Sequence, residues 1–336
     1  MGIAVVGASG WGRNVVRAFY WAEGGRLRWV CDRNPELLHG VEDRFPGVRA
    51  TLSFDDVLAD SAVDAVAVAV DAPNHFSLAE RALLAGRHVF VEKPLALSVR
   101  EAEQLCAYAE TSGRILMVGH LLLYHPAIVQ TRALIVDGHL GDVLYLYAQR
   151  LNLGIVRESE NAWWSLAPHD VAVALHLLGE SPQSVSVTGA TYLQKHRGVE
   201  DIAFAALRFS GDRMAHVHVS WLDPHKRRSL TVVGSRQMLT FDDTVATEKL
   251  RVYDKSASPH GGHATYAEGV AVHSGNVFSP SLPNVEPLLV ECNHFVSCVR
   301  SGARPLSDGR QGLAVVKVLE AGQRSLRSRG EPIDVR

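Results

Sequence analysis

Lys93 is the residue whose type and position suggest chemistry most directly. Only six of the 34 basic residues are lysine, and Lys93 is the single lysine between Met1 and Gln194. The rest of that stretch uses arginine, which cannot release its proton, whereas the surroundings of a lysine can tune it to do so. We therefore predict that Lys93 transfers a proton or stabilises a developing charge, with a solvated surface lysine as the alternative.

His169 is a second candidate for proton transfer, within the stretch Leu166-Ala167-Pro168-His169-Asp170. Proline suits the first turn of a helix, so a helix beginning at Pro168 would hold His169 near a positive dipole end. That position favours the neutral imidazole that a general base needs. A kinked helix beginning near Asn161 is the alternative.

A glycine-rich segment, Gly7-Ala8-Ser9-Gly10-Trp11-Gly12, joins a short apolar strand to a helical pattern. In the G-x-G-x-x-G pattern the glycines allow a tight turn, a close approach to a pyrophosphate, and packing of helix on strand. Gly7 and Gly12 occupy the outer positions, and Gly10 takes over the close approach because Ser9 replaces the middle glycine. The segment, Trp11 included, predicts dinucleotide binding, with an ordinary strand-to-helix turn as the alternative.

A carboxylate follows this segment at the distance expected for a ribose contact. Asp32 lies twenty residues beyond Gly12, at the end of the second apolar strand. Such a carboxylate accepts hydrogen bonds from the ribose hydroxyls of the adenosine and repels a 2′-phosphate, which favours NAD. The neighbouring Arg33 keeps NADP open as the alternative, because an arginine beside the ribose accommodates that phosphate.

The elements that must position these residues alternate regularly over residues 2–119. Apolar strands are predicted at Gly2–Val6, Leu27–Cys31, Asp64–Val70, His88–Val91 and Ile115–Val118, and helices at Trp11–Glu23, Pro35–Phe45, Pro73–Ala85 and Ser98–Ser112. Strands without polar alternation are typical of a parallel sheet that is covered on both faces. Residues 1–119 are therefore predicted to form a doubly wound Rossmann domain of the α/β class.

Residues 120–336 follow a different pattern, which predicts a second, α+β domain with a mostly antiparallel open sheet. Alternating strands are predicted near residues 142–152, 183–192, 200–209, 213–221, 228–234 and 236–241, and helices near 126–137, 162–178, 286–301 and 309–327. Residues 256–284 are rich in Gly, Ser, Pro and His, which predicts a long surface loop. We expect this domain to bind substrate and to form oligomers.

Composition excludes several classes of protein. A formal charge of −2 argues against a nucleic-acid or membrane-surface partner, because both require a basic patch. The cysteines lack CxxC spacing, so neither a zinc site nor a disulfide framework is predicted. No apolar run reaches the length of a membrane span, and no basic region precedes the apolar N-terminus as in a signal peptide. We therefore expect a cytoplasmic protein without a bound metal.

The triplet Glu92-Lys93-Pro94 at the end of a strand, with Ala72-Pro73 after the preceding strand, resembles the Gfo/Idh/MocA oxidoreductases along essentially the whole chain. The resemblance implies that Lys93 reaches the hydroxyl being oxidised and the nicotinamide ribose, and that the Lys93-Pro94 peptide is cis. It also implies that Pro73, His75 and Glu92 contribute to the cofactor site.

The resemblance assigns His169 to taking or positioning the substrate proton. Many relatives carry an aspartate four residues before this histidine, as an orienting or relay partner, whereas this chain has Ser165 there. Asp170 follows directly and would point elsewhere on a helix. The relay found in those relatives is therefore not predicted here.

Further stretches resemble the family members that act on C3 of nucleotide-linked hexoses, including those of the aminoshikimate (3-amino-5-hydroxybenzoate) type found in antibiotic biosynthesis. The residues that this resemblance adds to the substrate site, together with Ser165 and His169, are His120, Tyr124, Arg150, Asn152 and Arg157. Arg150 or Arg157 would meet a diphosphate. Packing or an interface is an equal alternative for each of them.

The resemblance implies an NAD-dependent dehydrogenase of a UDP-sugar that yields a 3-keto sugar, with a PLP aminotransferase as the enzyme that follows it. It also implies a homodimer or homotetramer. The alternatives are an NADPH-dependent 3-ketoreductase of dTDP-sugars, an inositol or free-sugar dehydrogenase, and a nicotinamide-binding sensor without chemistry. A sensor needs neither Lys93 nor His169, which argues against the last alternative.

Overall fold

The computed structural model describes residues 1–154, 156–157, 160–259 and 270–335. The chain divides into two compact units, a first of Met1–Tyr124 with Val285–Lys317 and a second of His125–Asn284 with Val318–Arg336. The first unit thus contains residues 120–124 and a segment near the C-terminus in addition to the predicted residues 1–119. Aromatic packing explains the position of that segment, because Phe295 meets Phe19 and Phe90 edge to face at 5.9 Å between ring centroids.

The described residues of the first unit form a parallel sheet of six strands in the order β3-β2-β1-β4-β5-β6, which confirms the Rossmann prediction. The strands are β1 (Gly2–Val6), β2 (Arg26–Cys31), β3 (Arg49–Thr51), β4 (Ala65–Val68), β5 (His88–Glu92) and β6 (Leu116–Gly119). Every residue of β1, β4 and β6 is buried, as apolar runs without alternation predict.

Helices connect these strands. They are α1 (Gly12–Tyr20), α2 (Pro35–Leu38), α3 (Val41–Arg44), α4 (Phe54–Ala59), α5 (His75–Leu84) and α6 (Val99–Ser112), with α9 (Pro287–Ser301) and the start of α10 (Gly309–Arg327) completing the unit. The single helix predicted at Pro35–Phe45 is two short ones, because Gly40 between them adopts a left-handed φ of 67°. The sequence prediction also missed β3 and α4, which are only three and six residues long.

The described residues of the second unit form a sheet of nine strands in the order β14-β13-β12-β11-β7-β10-β9-β8-β15. The strands are β7 (Val143–Leu151), β8 (Ser184–Ala190), β9 (Ile202–Arg208), β10 (Met214–Ser220), β11 (Arg227–Gly234), β12 (Met238–Asp242), β13 (Leu250–Pro259), β14 (Val270–Phe278) and β15 (Ile333–Asp334). Within that described part only β7 and β10 pair in parallel, so the mostly antiparallel sheet is confirmed. The helices α7 (Pro126–Val136) and α8 (Ala162–Leu178) belong to this unit.

The surface loop predicted over residues 256–284 is wrong in part. Four residues of β13 and all of β14 fall inside it, and the two strands pair antiparallel from Val252↔Phe278 to Pro259↔Val270. Turn-forming residue types thus do not prevent a ribbon whose backbone groups bond to each other. Residues 260–269 of the predicted loop lie outside the described residues. Among the described helices, none has the length and apolar character to cross a membrane.

Candidate active site

The glycine-rich segment after β1 is shaped by close backbone contacts. A Cβ on Gly7 would lie 2.3 Å from the Ala69 carbonyl oxygen, and one on Gly12 would lie 2.4 Å from the Gly7 carbonyl oxygen. Gly10 has a left-handed φ of 46° and faces open space. Two glycines therefore pack the turn against its neighbours, while Gly10 leaves an open surface that a pyrophosphate can approach.

Helix α1 begins directly after this turn and receives no hydrogen bond from a capping side chain. An uncapped helix N-terminus carries a partial positive charge and suits a phosphate. Ser9, Gly10 and Trp11 are exposed around it. The segment therefore has the form and the polarity that the pyrophosphate of a dinucleotide requires.

Asp32 lies immediately after β2, at the same carboxyl-terminal end of the sheet as the glycine-rich turn. One carboxylate oxygen accepts from the Ala8 backbone N–H at 2.7 Å and the other accepts from the Asn34 N–H at 2.9 Å. The side chain therefore braces the glycine-rich turn, and its orientation is set before any ribose arrives. Arg33 beside it is exposed. An oriented carboxylate at this position fits the ribose diol of NAD.

The Glu-Lys-Pro triplet stands at the carboxyl end of β5, two strands from β1 in the sheet. Glu92 is 8% exposed, and its carboxylate accepts a hydrogen bond from the Trp11 indole N–H at 2.8 Å. The other oxygen of that carboxylate accepts from the Lys93 backbone N–H at 3.3 Å. The Lys93-Pro94 peptide is cis, as predicted. Through one carboxylate, the dinucleotide segment is connected to the turn that carries Lys93.

His75, which is predicted to contribute to the cofactor site, makes two contacts with backbone carbonyls of the first unit. The side chain is 1% exposed, and its two ring nitrogens face the carbonyl oxygens of Pro94 at 2.7 Å and Val70 at 2.9 Å. Burial lowers its pKa, so the ring is neutral and donates to one of the two carbonyls. His75 thus connects the end of β4 to the Lys93-Pro94 turn. Pro73, in the short 3-10 turn Ala72–Asn74 before α5, is exposed at the same edge of the sheet.

His120 and Tyr124 follow β6 and are both buried in the first unit. His120 is 1% exposed, and burial, followed by the charge of Lys93, lowers its pKa to about 3. A neutral ring beside the ammonium avoids adding a second positive charge there. The Tyr124 hydroxyl hydrogen-bonds Ser307 at 2.9 Å inside this unit. This bond accounts for the burial of the Tyr124 hydroxyl, and a contact of Tyr124 with substrate stays a prediction.

Helix α8 begins earlier than the prediction that placed Pro168 in its first turn. Asn161 caps it by accepting from the Trp164 N–H at 3.0 Å, and its amide also donates to Glu200 and Gln323. Pro168 lies inside the helix, as the alternative of a kinked helix proposed. His169 therefore lies about two turns after the start of the helix. The dipole acts within the first turn, so it gives no reason to expect a neutral ring at His169.

Arg150 on β7 pairs with Asp170 on α8. The guanidinium donates to both carboxylate oxygens, at 2.8 and 3.0 Å, and the side chains are 13% and 7% exposed. Asp170 thus points away from its neighbour His169, as helical geometry predicts, and engages the arginine that was predicted to meet a diphosphate. Ser165 is buried one turn before His169.

Asn152 and Arg157 lie in the segment that follows β7. Both side chains are exposed, and the Arg157 guanidinium lies 3.1 Å from the Glu160 carboxylate. An exposed ion pair of this kind is weak and exchanges readily for a stronger anion. Of the arginines predicted to bind a diphosphate, Arg157 is therefore the more accessible.

The described residues contain no group of three or more His, Cys, Asp or Glu arranged to hold a metal. His216 and His218 lie on one face of β10, and the ring of His218 stacks on Phe204 of the adjacent strand at 4.2 Å between centroids. That stacking accounts for His218 as a packing residue.

One buried acid of the first unit, Glu291 on α9, is not among the residues predicted from the sequence. It is fully buried, between Leu288 and Cys292 on the same helix. A glutamate on the apolar face of an amphipathic helix is the signal that identifies such a residue before the structure is known.

Comparison with known proteins identifies the family of the chain. Residues 1–120 match the model described as "Oxidoreductase family, NAD-binding Rossmann fold", and residues 128–240 match the "GFO/IDH/MocA C-terminal domain". UDP-N-acetylglucosamine 3-dehydrogenase of Acidithiobacillus ferrooxidans is 28% identical over 258 residues, which is 76% of this chain and 78% of the relative. Inositol 2-dehydrogenase of Rhizobium meliloti is 24% identical over 340 residues, 96% of each chain.

Among solved structures, GenD2 from gentamicin A biosynthesis in complex with NAD superposes with a TM-score of 0.83. Its sequence is 25% identical, and the match covers 100% of this chain and 96% of GenD2. Together the two family models span most of this chain, and the first of them describes the unit that carries the glycine-rich segment and Asp32. The chain is therefore an NAD-dependent oxidoreductase of the Gfo/Idh/MocA family.

Proposed function

We propose that the protein transfers a hydride between nicotinamide and C3 of a nucleotide-linked hexose, with a secondary alcohol on one side of the reaction and a 3-keto sugar on the other. The observation that carries this proposal is the connection of Trp11 to Glu92 and of Glu92 to the Lys93 backbone. It ties the dinucleotide segment to the residue whose chemistry the sequence singled out. The UDP-N-acetylglucosamine 3-dehydrogenase among the relatives supports the choice of substrate.

The cofactor is held by the first unit. The uncapped start of α1 and the open surface at Gly10 receive the pyrophosphate, and Asp32 receives the ribose diol. When bound, NAD supplies the acceptor for the hydride. The orientation of Asp32 by two backbone N–H groups lowers the entropy lost when the ribose binds.

Two side chains of the protein handle the proton of the alcohol. His169 acts as general base in oxidation and as general acid in reduction, and Lys93 donates a hydrogen bond to the same oxygen and stabilises its developing negative charge. The two roles can be exchanged, because both groups are able to hold a proton. His120 near Lys93 is neutral, so it adds no second positive charge beside the ammonium.

Turnover of a defined substrate panel tests this proposal. Purified protein is incubated with NAD and UDP- or dTDP-linked hexoses, free hexoses or inositols while NADH absorbance is followed. We expect turnover with a nucleotide hexose and a product that carries its ketone at C3, identified by NMR after trapping. Brisk oxidation of inositol without any reaction of a nucleotide hexose would overturn the substrate class.

An inositol or free-sugar dehydrogenase is the second candidate, and two observations favour it. The inositol 2-dehydrogenase of Rhizobium meliloti matches this chain over 96% of both lengths, whereas the nucleotide-sugar relative matches over 76% of this chain. The pairing of Arg150 with Asp170 points the same way, because it removes one of two arginines from diphosphate binding. Replacing exposed Arg157 by glutamine separates the candidates: KM should rise for a nucleotide sugar and stay constant for inositol.

The remaining parts of the proposal concern partners and assembly. A 3-keto sugar is a substrate for a PLP aminotransferase, so we place such an enzyme next in the reaction sequence. Residues 1–119 would form the cofactor domain, and residues 120–336 would form the domain for substrate and for pairing into a cytoplasmic homodimer or homotetramer. Light scattering of the purified protein measures the oligomeric state, and a coupled reaction with an aminotransferase tests the partner.

A further inference from the structure

The side chain of Trp11 connects solvent at the glycine-rich turn to the interior of the first unit. Trp11 is 47% exposed, yet its indole N–H donates to the carboxylate of Glu92, which is 8% exposed. The polar atom of the indole is thus engaged inside the protein, while about half of the residue stays open to solvent. Such a side chain can take a ligand contact on its apolar surface and keep its hydrogen bond.

The backbone of Trp11 belongs to the turn from which α1 begins, so the indole moves with that turn. The Trp11 carbonyl oxygen accepts from the N–H of Asn14 at 2.8 Å and from the N–H of Val15 at 3.3 Å. Gly12, the next residue, is packed so closely that a Cβ on it would lie 2.4 Å from the Gly7 carbonyl oxygen. A ligand that fixes the turn therefore also fixes the indole and, through its N–H, the Glu92 carboxylate.

Glu92 passes this restraint to the backbone of Lys93. The Trp11 indole N–H lies 2.8 Å from one carboxylate oxygen of Glu92, and the Lys93 backbone N–H lies 3.3 Å from the other. Gly119 pairs with Glu92 between β5 and β6, and a Cβ on Gly119 would lie 3.0 Å from the Glu92 carboxyl carbon. Burial raises the pKa of Glu92 and the Trp11 bond lowers it, so the indole favours the ionised form. Loss of the indole N–H would leave a confined, buried carboxylate oxygen without that donor.

The turn that carries Lys93 has a second support, which comes from the interior. The two ring nitrogens of His75 lie 2.7 Å from the Pro94 carbonyl oxygen and 2.9 Å from the Val70 carbonyl oxygen, and the ring is buried. This contact holds the Pro94 side of the cis peptide whether or not a cofactor is bound. The Lys93 N–H, in contrast, is held by a carboxylate whose other donor stands at the open dinucleotide turn.

We propose that Trp11 is a positioning residue for Lys93: its indole N–H holds the Glu92 carboxylate against the Lys93 backbone N–H, and a dinucleotide bound at the turn fixes the indole in that place. The inference rests on the proposed function, since it takes Lys93 to act on the substrate. Binding of the cofactor then completes the placement of Lys93. A sugar that enters before the cofactor meets a less ordered Lys93.

Four variants test the inference. Trp11→Phe keeps an aromatic ring and removes the N–H donor. Trp21→Phe is the matched control, because Trp21 is also exposed and lies at the opposite end of the same helix, at its C-cap. Glu92→Gln replaces the carboxylate by an amide with a single acceptor oxygen, and the double variant Trp11→Phe/Glu92→Gln combines the two changes. Thermal unfolding first confirms that each variant folds.

Hydrogen exchange of the Lys93 backbone N–H tests the link without any turnover. We expect this N–H to exchange about tenfold faster in Trp11→Phe than in the parent, and at the parent rate in Trp21→Phe, because only the first change loosens Glu92. Saturating NAD should slow the exchange in the parent and leave it nearly unchanged in Trp11→Phe. Equal exchange in the parent and in Trp11→Phe, or exchange in the parent that does not respond to NAD, would overturn the inference.

Kinetics with NAD and a UDP-hexose test the positioning role. We expect Trp11→Phe to lower kcat by about 10–10²-fold, as for a misplaced reacting group, while KM for the sugar and the Kd of NAD change only a few-fold. In the Glu92→Gln background the same change should cost less, because the indole acts through that carboxylate.

A folded Trp11→Phe variant with the kcat of the parent, or equal costs of the change in both backgrounds, would refute positioning. If hydrogen exchange behaves as expected but Lys93→Met remains fully active, the link from Trp11 to Lys93 holds and the proposed function is at fault.

Discussion

The two units hold their chemically important side chains in different ways. In the first unit the glycine-rich turn, Asp32 and Lys93 all follow strands of one parallel sheet, and parallel strands end at the same edge. In the second unit His169 lies on α8, and the start of that helix depends on Asn161 and on its bonds to Glu200 and Gln323. Chain order thus places residues in the first unit, whereas side-chain pairing places them in the second.

Arg150 illustrates the difference. Its position at the end of β7 is similar to that of Lys93 at the end of β5, yet its guanidinium is bound to Asp170 within the second unit. A place near the end of a strand therefore does not by itself leave a guanidinium open to a ligand, because a carboxylate on a neighbouring helix can bind it first. The variants below test this distinction, from the largest expected effect to the smallest.

Removal of the Lys93 ammonium should have the largest effect. Lys93→Met keeps the length of the stem but removes the charge and all three donors, so the chemical step should slow by about 10²–10⁴. NAD affinity should change little, since Asp32 and the start of α1 are intact. Single-turnover kinetics and NAD titration measure the two quantities.

Lys255→Met, at an exposed position on β13, is the matched control and should turn over like the parent. Turnover of Lys93→Met within a few-fold of the parent would show that the edge of the parallel sheet does not carry the chemistry.

Breaking the Arg150–Asp170 ion pair of the second unit should lower the free energy of unfolding. The expected loss is similar in free energy to the effect of Lys93→Met on the chemical step. Asp170→Ala leaves the Arg150 guanidinium buried without its carboxylate, and the loss of one partner of a buried pair costs about 3–5 kcal/mol. Urea denaturation measures the free energy of unfolding. The double variant Arg150→Met/Asp170→Leu should recover most of the loss, because no buried charge remains. A loss of less than about 1 kcal/mol in Asp170→Ala would show that solvent reaches the guanidinium.

Asp32 should determine the choice of cofactor. Asp32→Ala removes the ribose contact and the repulsion of a 2′-phosphate, and one charge-assisted hydrogen bond corresponds to about 1.5–3 kcal/mol, or more than tenfold in the ratio of affinities. The variant also frees the Ala8 N–H, which loosens the turn and weakens both cofactors equally. The ratio of NAD to NADP dissociation constants is therefore the quantity to measure.

Asp32→Asn sharpens this measurement, since it removes the charge but keeps an acceptor for the Ala8 N–H. If the parent binds NADP as tightly as NAD, or more tightly, then Arg33 and not Asp32 determines which cofactor is preferred.

The cap of α8 should give the smallest effect. Asn161→Ala removes the bond to the Trp164 N–H, and the loss of an N-cap costs about 0.5–2 kcal/mol; the amide bonds to Glu200 and Gln323 are lost with it and add to that cost. Asn74→Ala is the matched control, because Asn74 occupies the N-cap position of α5 without a side-chain bond to it. Urea denaturation of both variants gives the difference. Equal losses would mean that the cap bond does not hold the start of α8.

Part of this protein follows from its sequence alone. Apolar strands separated by helices predict the parallel sheet, and Gly7, Gly12 and Asp32 predict the dinucleotide segment at its edge. The prediction of the sheet is confirmed because strand direction follows from the local order of strands and helices, whereas the binding roles of Gly7, Gly12 and Asp32 stay predictions. The sequence also singles out Lys93, because it is the one lysine in a stretch of 194 residues that otherwise uses arginine.

The tertiary structure alone decided which partners the polar side chains find. His75 engages backbone carbonyls, Tyr124 engages Ser307, and Arg150 engages Asp170, each across 5 to 183 residues of sequence. Helix α8 begins before Pro168 because the Asn161 cap and its bonds to distant residues stabilise the extra turn. Spacing along the chain carries no record of such contacts, since a hydrogen bond or an ion pair depends on which elements pack together after folding.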